Sequence, residues 1–182
     1  LVVDEAHALG VYGKTGSGLV EAHGLDPNEI ITINPCGKAM GASGAFISGP
    51  EWLRRLLINT GRGFIYSTGA SPWIAAGLLA NLELIQNATE RRLHLAALSS
   101  KVRHELKAMG FATGASTTHI IPLLLGDEKR SLDYERQLAG RSIFARAIRP
   151  PTVPEGECRL RLSLHAAVQS ADPLLNALKE IS

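Results

Sequence analysis

One lysine stands in a stretch with almost no side-chain bulk, Pro35-Cys36-Gly37-Lys38-Ala39-Met40-Gly41-Ala42-Ser43-Gly44. Glycines let a backbone approach a ligand closely and adopt φ > 0, so an amine carried among them can reach a bound molecule. Two chemistries suit it: a point charge on a phosphate, or a nucleophilic amine that forms a Schiff base. A solvated loop lysine has the same local sequence. A second group, Asp4-Glu5-Ala6-His7, follows the apolar Leu1-Val2-Val3. An aspartate and a lysine on neighbouring strand ends are two features that a pyridoxal phosphate site requires. The carboxylate keeps the pyridine nitrogen protonated and the amine forms the imine. His7 is placed to hydrogen-bond the ring oxygen. Taken singly, Asp4 reads equally as a helix cap and His7 as a satisfied core histidine; the set carries the reading.

An apolar strand followed by Asp-Glu-Ala-His also occurs in DEAH-type ATPases, where the acids handle magnesium and ATP. That chemistry needs a phosphate loop of the form G-x-x-x-x-G-K-[ST]. Gly13-Lys14-Thr15 is the Gly-Lys-Thr of this chain, but Ala8 stands where the first glycine belongs, and the stretch follows the acids rather than preceding them. The rest of the chain gives this reading no support.

Apolar pattern and turn residues supply the elements that position these groups. Leu1–Val3, Ile30–Ile33 and Gly44–Ser48 read as short strands, and such apolar runs without alternation suit a sheet covered on both faces. The acids then fall at a strand's carboxyl end, which in open α/β sheets faces the ligand crevice. Glu51–Asn59 reads as a helix broken by Gly61-Arg62-Gly63, and Phe64–Thr68 as a short extended piece. Ser71-Pro72 opens a helix with Ile74, Leu78, Leu82 and Ile85 on one face. Thr89 restarts a helical pattern that runs to Met109, which sets a domain boundary between residues 88 and 89.

The remainder reads as a small α+β unit. His119–Leu125 and Ser142–Ile148 are expected as strands, Ser131–Ala139 as a helix, and Arg149–Pro154 as a stiff turn. Cys158–His165 alternates, with Leu160, Leu162 and Leu164 on one face and Arg159, Arg161, Ser163 and His165 on the other. Asp172-Pro173 opens a last helix.

Composition sets outer bounds. The chain has 182 residues, is 45% hydrophobic and 20% charged, and carries a formal net charge of +2, too small to argue for nucleic acid or an anionic membrane. No apolar stretch reaches spanning length. Cys36 and Cys158 lie far apart without metal-ligand spacing, so free thiols are expected and no metal site. A chain rarely begins inside a central strand, so the opening Leu1-Val2-Val3 suggests that a preceding part of a larger protein is missing.

Asp4-Glu5-Ala6-His7-Ala8-Leu9-Gly10, Gly37-Lys38-Ala39-Met40-Gly41 and Ile65-Tyr66-Ser67-Thr68 resemble, in order, the motifs of the α-oxoamine synthases. These fold-type I pyridoxal phosphate enzymes join an amino acid to an acyl-CoA and release carbon dioxide. The resemblance implies an α/β chain: residues 1–88 from a large cofactor-binding domain with a mostly parallel sheet, and residues 89–182 as a small α+β carboxyl-terminal domain. It implies that Lys38 binds pyridoxal 5′-phosphate as an imine, Asp4 pairs with the pyridinium nitrogen and His7 binds the ring oxygen. Ser67 and Thr68 would reach the cofactor phosphate in the partner subunit of a homodimer with a shared site. Arg149 would hold the amino-acid carboxylate and Thr152 would line the acyl channel.

Ala147-Ile148-Arg149-Pro150-Pro151-Thr152-Val153-Pro154 is most similar to the branch that uses alanine and a pimeloyl thioester in biotin synthesis. Glycine C-acetyltransferases (2-amino-3-ketobutyrate CoA ligases) and 5-aminolevulinate synthases usually differ at this turn and stand second. One departure is Pro35, where many members have a threonine whose hydroxyl meets the phosphate; proline offers neither hydroxyl nor N–H. Family chains run to about twice this length, so a carboxyl-terminal half is expected, with a cytoplasmic setting and an inactive fragment as the alternative from another class.

Overall fold

In the computed structural model, which describes residues 1–181, β-branched residues build the first sheet. Its strands are β1 (Val2–Asp4), β2 (Ile31–Pro35) and β3 (Ala45–Ser48), in the order β1-β2-β3. β1 runs parallel to β2, with Val2 opposite Ile31, Val3 opposite Thr32 and Asp4 opposite Ile33. β2 and β3 are antiparallel, from Thr32 opposite Ser48 to Pro35 opposite Ala45. A parallel pair cannot be closed by a tight hairpin. Its return path takes residues 5–30 and includes a four-residue helix, α1 (Leu19–Ala22).

The chain divides into two compact units by internal contacts, Leu1–Arg92 and a second beginning at Leu93. In the first, α2 (Glu51–Thr60), α3 (Arg62–Ile65) and α4 (Pro72–Gln86) follow the sheet. Gly61 ends α2, as expected, and also opens α3: its carbonyl accepts from Phe64 N and Ile65 N, so these two residues, expected as extended, lie in a helical turn. α4 starts as its sequence indicates, with Ser71 in extended backbone and Pro72 in the first position. Leu78, Leu82 and Ile85 of α4 rest on the buried Leu9, Cys36 and Met40. The sheet's apolar residues are only partly covered by this chain, for Val2 is 58% and Ile47 49% exposed. Full cover on both faces, as read from the sequence, is therefore not provided by these residues.

The second unit holds most of α5 (Thr89–Ala108), then β4 (Ile120–Gly126), α6 (Glu128–Ala139), β5 (Arg146–Ile148), β6 (Cys158–Ser163) and α7 (Asp172–Ile181). Its sheet is antiparallel in the order β4-β6-β5. The alternation read from β6 is realised: Leu160, Leu162 and Leu164 are buried, and Leu160 stands between Leu123 and Ala147. α6 packs against all three strands and against α7. It starts three residues earlier than the apolar pattern indicates, because the Asp127 carboxylate accepts from Arg130 N at 2.7 Å and caps it. β5 is shorter than expected. Ser142 N and Ile143 N bond back to Ala139 and Leu138 carbonyls, closing α6, and Ser142 takes φ 60°.

These burials set the energetic weight of each position. Leu160→Ala should cost about 2–5 kcal/mol by removing buried methyl groups and leaving a cavity. Phe144→Ser, at a side chain 93% exposed, should stay within about 0.5 kcal/mol. Urea midpoints of the two variants check the contrast; equal shifts would show that the β6 leucines are not the core of this unit.

Candidate active site

Strand direction places the first two candidates. Because β1 and β2 are parallel, their carboxyl ends lie at one edge of the sheet, and Asp4 ends β1 while the turn after Pro35 leaves β2. That turn carries Lys38. It is pinned from both sides: Cys36 N donates to Gly44 O at 2.9 Å, Ala42 N to Cys36 O at 3.0 Å and Gly41 N to Lys38 O at 2.9 Å. Cys36 and Met40 are buried in the apolar cluster, and Asn81 Nδ2 of α4 donates to Met40 O at 2.6 Å. The turn is thus anchored inward at Cys36 and Met40, and Gly37, Lys38 and Ala39 between them stay exposed. Gly41 takes φ +57°, which favours glycine, and a methyl added at Gly37 or Gly41 would meet no atom within 4 Å. Lys38 is thus exposed beside glycines that add no side chain of their own.

Asp4 is also exposed, and its Oδ1 accepts from Ala6 N at 2.8 Å, bending the chain into the turn that contains the exposed His7. Glu5 points the other way. It is fully buried, and its two oxygens accept from Leu19 N and Val20 N at 2.8 and 2.9 Å. That geometry closes a loop; it does not present a free acid to magnesium, and the ATPase reading loses one of its two acids. Among the described residues, no group of three or more His, Cys, Asp or Glu gathers to hold a metal ion. No helix among them is long and apolar enough to cross a membrane.

The loop beyond His7 is fixed by two charged side chains that the sequence reading did not single out. Glu21 accepts from Thr15 N at 2.9 Å, Ser17 N at 3.0 Å and the Thr15 hydroxyl at 3.1 Å. Partial burial opposes its ionisation, but these donors and the charge of Arg92 hold its carboxyl below the usual 4.5. Arg92, buried, donates to the carbonyls of Lys14 at 2.9 Å and Ile85 at 2.5 Å and to the Thr89 hydroxyl at 3.1 Å. It thereby ties the carboxyl-terminal end of α4 to the loop, where a cation suits the helix dipole.

The other candidates are placed elsewhere. Ser67 and Thr68 follow α3 and are exposed, and the Ser67 hydroxyl donates to Gly63 O at 2.5 Å within its own segment. A serine has one such donor, so a phosphate there would have to draw it away. Arg149 and Thr152 belong to the second unit, on the turn after β5. Thr152 N donates to Arg149 O at 2.9 Å, and the Pro150–Pro151 bond within the turn is cis. Arg149 pairs with Glu128 at 2.5 Å, both side chains about half exposed. In the same unit Arg161 lines a cavity of about 590 Å3 with Arg146, Glu135 and Phe144. Its Nε is buried without a partner; the polar side of the β6 alternation was the sequence signal for it.

The chain matches the aminotransferase class I and II family over residues 1–179, and it belongs to that family. It is 43% identical to the 8-amino-7-oxononanoate synthase of Pseudomonas putida strain F1 over 99% of this chain and 47% of that protein. Identity to the protein of the same name from Anaeromyxobacter dehalogenans is 42%, over all of this chain and 46% of that one. Among solved structures, the 8-amino-7-oxononanoate synthase of Francisella tularensis superposes with a TM-score of 0.87 at 27% identity, over all of this chain and 53% of that chain. A serine palmitoyltransferase from S. paucimobilis, solved with a bound PLP–myriocin aldimine, superposes with a TM-score of 0.89 at 26% identity, over 99% and 46%. The architecture is thus that of the fold-type I pyridoxal phosphate enzymes, and the chain spans about half the length of the curated relatives it matches.

The Glu21 clasp makes the loop sensitive to acid. A carboxyl whose folded pKa lies below its unfolded value of 4.5 contributes stability above that value and loses it as pH falls through the folded pKa. Glu21→Gln should therefore lower the urea midpoint at pH 7, and the gap to wild type should close in acid below the unfolded pKa. A gap that stays constant from neutral pH into acid would remove Glu21's charge from the account.

Proposed function

We propose that the protein carrying this chain is a pyridoxal 5′-phosphate-dependent C-acyltransferase of the α-oxoamine synthase type. It condenses L-alanine with pimeloyl-CoA, or pimeloyl on a carrier protein, to give 8-amino-7-oxononanoate for biotin synthesis, with release of the free thiol and carbon dioxide. The observation that carries the reading is the exposed Lys38, held on a pinned turn at the same sheet edge as the exposed Asp4. An exposed amine, a carboxylate and unfilled space beside Gly37 and Gly41 form a donor set that fits an aldehyde-bearing pyridine.

Bound there, pyridoxal phosphate supplies an aldehyde for amine capture and a ring that draws off the electron pair released at the amino acid's α-carbon. Lys38 would hold the cofactor through its amine and, with that amine free, would be the base for the amino acid's α-carbon proton. Asp4 would keep the proton on the ring nitrogen, without which the ring is a poor electron acceptor. His7 would hydrogen-bond the ring oxygen. Ser67 and Thr68 bind the phosphate, by this reading that of the partner subunit in a homodimer, which offsets the missing hydroxyl at Pro35. Arg149 exchanges Glu128 for the alanine carboxylate, and Thr152 lines the acyl path. The setting proposed is the cytoplasm, where acyl thioesters are made.

The test is visible absorbance of the whole protein after adding pyridoxal phosphate and removing the excess, then borohydride reduction and peptide mapping. Label should fall on Lys38, and alanine with pimeloyl-CoA should turn over in preference to glycine with acetyl-CoA, the substrates of the competing family member. Lys38→Ala should remove the label and reduce turnover about a thousandfold or more; full activity without the lysine would end the assignment. Arg149→Ala should raise the alanine KM about tenfold or more by removing a charge-assisted pair, with cofactor affinity little changed. An unchanged KM would take Arg149 out of substrate binding.

A further inference from the structure

We propose that Glu5 is a positioning residue for Asp4 and His7: by closing the Gly18–Val20 segment onto the end of β1, it sets the direction in which both side chains meet the cofactor. This rests on the functional reading above. No role in binding or chemistry falls to Glu5 in that reading, yet it is the one fully buried acid among the described residues, at 0% exposure.

Every polar group of Glu5 is engaged, and each engagement holds a different piece of chain. Its N–H donates to Ile33 O at 2.9 Å, extending the β1–β2 ladder one residue beyond Asp4. Its carbonyl accepts from Ala8 N and Leu9 N, both at 2.9 Å, and so forms the turn that carries His7. Its carboxylate accepts from Leu19 N and Val20 N, at 2.8 and 2.9 Å. A carboxylate removed from water is costly unless hydrogen bonds replace the water it has lost, so these two bonds fix the side chain rather than merely decorate it. Asp4 immediately precedes this knot and His7 lies inside it.

The opposite side of the joint is equally constrained. Gly18 takes φ +111°, and a methyl added there would lie 2.5 Å from both Cδ and Oε2 of Glu5. Glu5 and Gly18 thus share one fit that can be loosened from either end. Glu5→Gln keeps the size but turns an amide NH2 toward a backbone N–H. Gly18→Ala keeps the carboxylate and pushes a methyl against it. Gly24→Ala is the control: Gly24 also takes a positive φ, +63°, but nothing lies within 4 Å of the added methyl. It strains the backbone without touching Glu5.

The experiment uses the whole protein and three readouts: affinity for pyridoxal phosphate, pH titration of the bound cofactor's visible absorbance, and the urea midpoint. Glu5→Gln and Gly18→Ala should each weaken cofactor binding about fivefold or more, the worth of one lost hydrogen bond. Each should also move the absorbance titration by about half a unit or more, because the charge at the ring nitrogen is displaced. Gly24→Ala should lower the urea midpoint and leave affinity and titration at wild-type values. If either Glu5→Gln or Gly18→Ala folds and both binds and titrates as wild type does, the positioning role is overturned, whatever happens to stability. A wild-type protein that takes no borohydride label at Lys38 fails the functional reading instead, and this inference with it.

Discussion

The parallel pairing of β1 with β2 is the constraint from which the site follows. Antiparallel pairing would send the residues after Asp4 and after Pro35 to opposite edges of the sheet. Parallel pairing, in the register Asp4 opposite Ile33, sends both to one edge. The requirement that comes with it is a long return path, and residues 5–30 meet that requirement with little regular structure of their own. The path is held by side chains instead: Glu5, Glu21 and Arg92 each close a stretch of it through backbone groups.

The turn bearing Lys38 solves a second problem, how to hold a charged side chain steady while leaving it in the open. Burying Cys36 and Met40 on either side of it fixes the backbone, and the Asn81 bond to the Met40 carbonyl adds a tether from α4. An anchored backbone and an exposed amine would suit the anchor and base that the proposed function makes of Lys38. Arg149 is prepared differently. It stands on a stiff proline turn and already has a carboxylate partner in Glu128, so a substrate carboxylate would replace an ion pair rather than fill a vacancy.

Much of this was legible in the sequence where local rules govern. Ser71-Pro72 fixed the start of α4, the β6 alternation fixed its buried face, and the Asp-x-x-His and Gly-Lys motifs marked the residues that the sheet brings to one edge. What escaped notice depends on partners distant along the chain. Nothing around Glu5 reveals that it faces inward, since its partners come at Leu19 and Val20. Arg92 looks like an ordinary helix-surface arginine until α4 and the Lys14 carbonyl are placed beside it. Phe64–Thr68 misled because its β-branched and aromatic residues favour strand, whereas the Gly61 carbonyl captures the first turn. The apolar strands anticipated more cover than this chain supplies, which fits a sequence spanning about half the length of its relatives.

The Lys14–Ser17 loop is gripped on its two sides by groups that answer acid differently. One grip is the Arg92 bond to the Lys14 carbonyl, a group that does not titrate. Glu21 grips Thr15 and Ser17 through its negative charge, and protonation takes that charge away. Acidification therefore releases one side only. The loop would stay joined at Lys14 by Arg92 and at Gly16 by the Gly10 N–H, which donates to the Gly16 carbonyl at 2.7 Å.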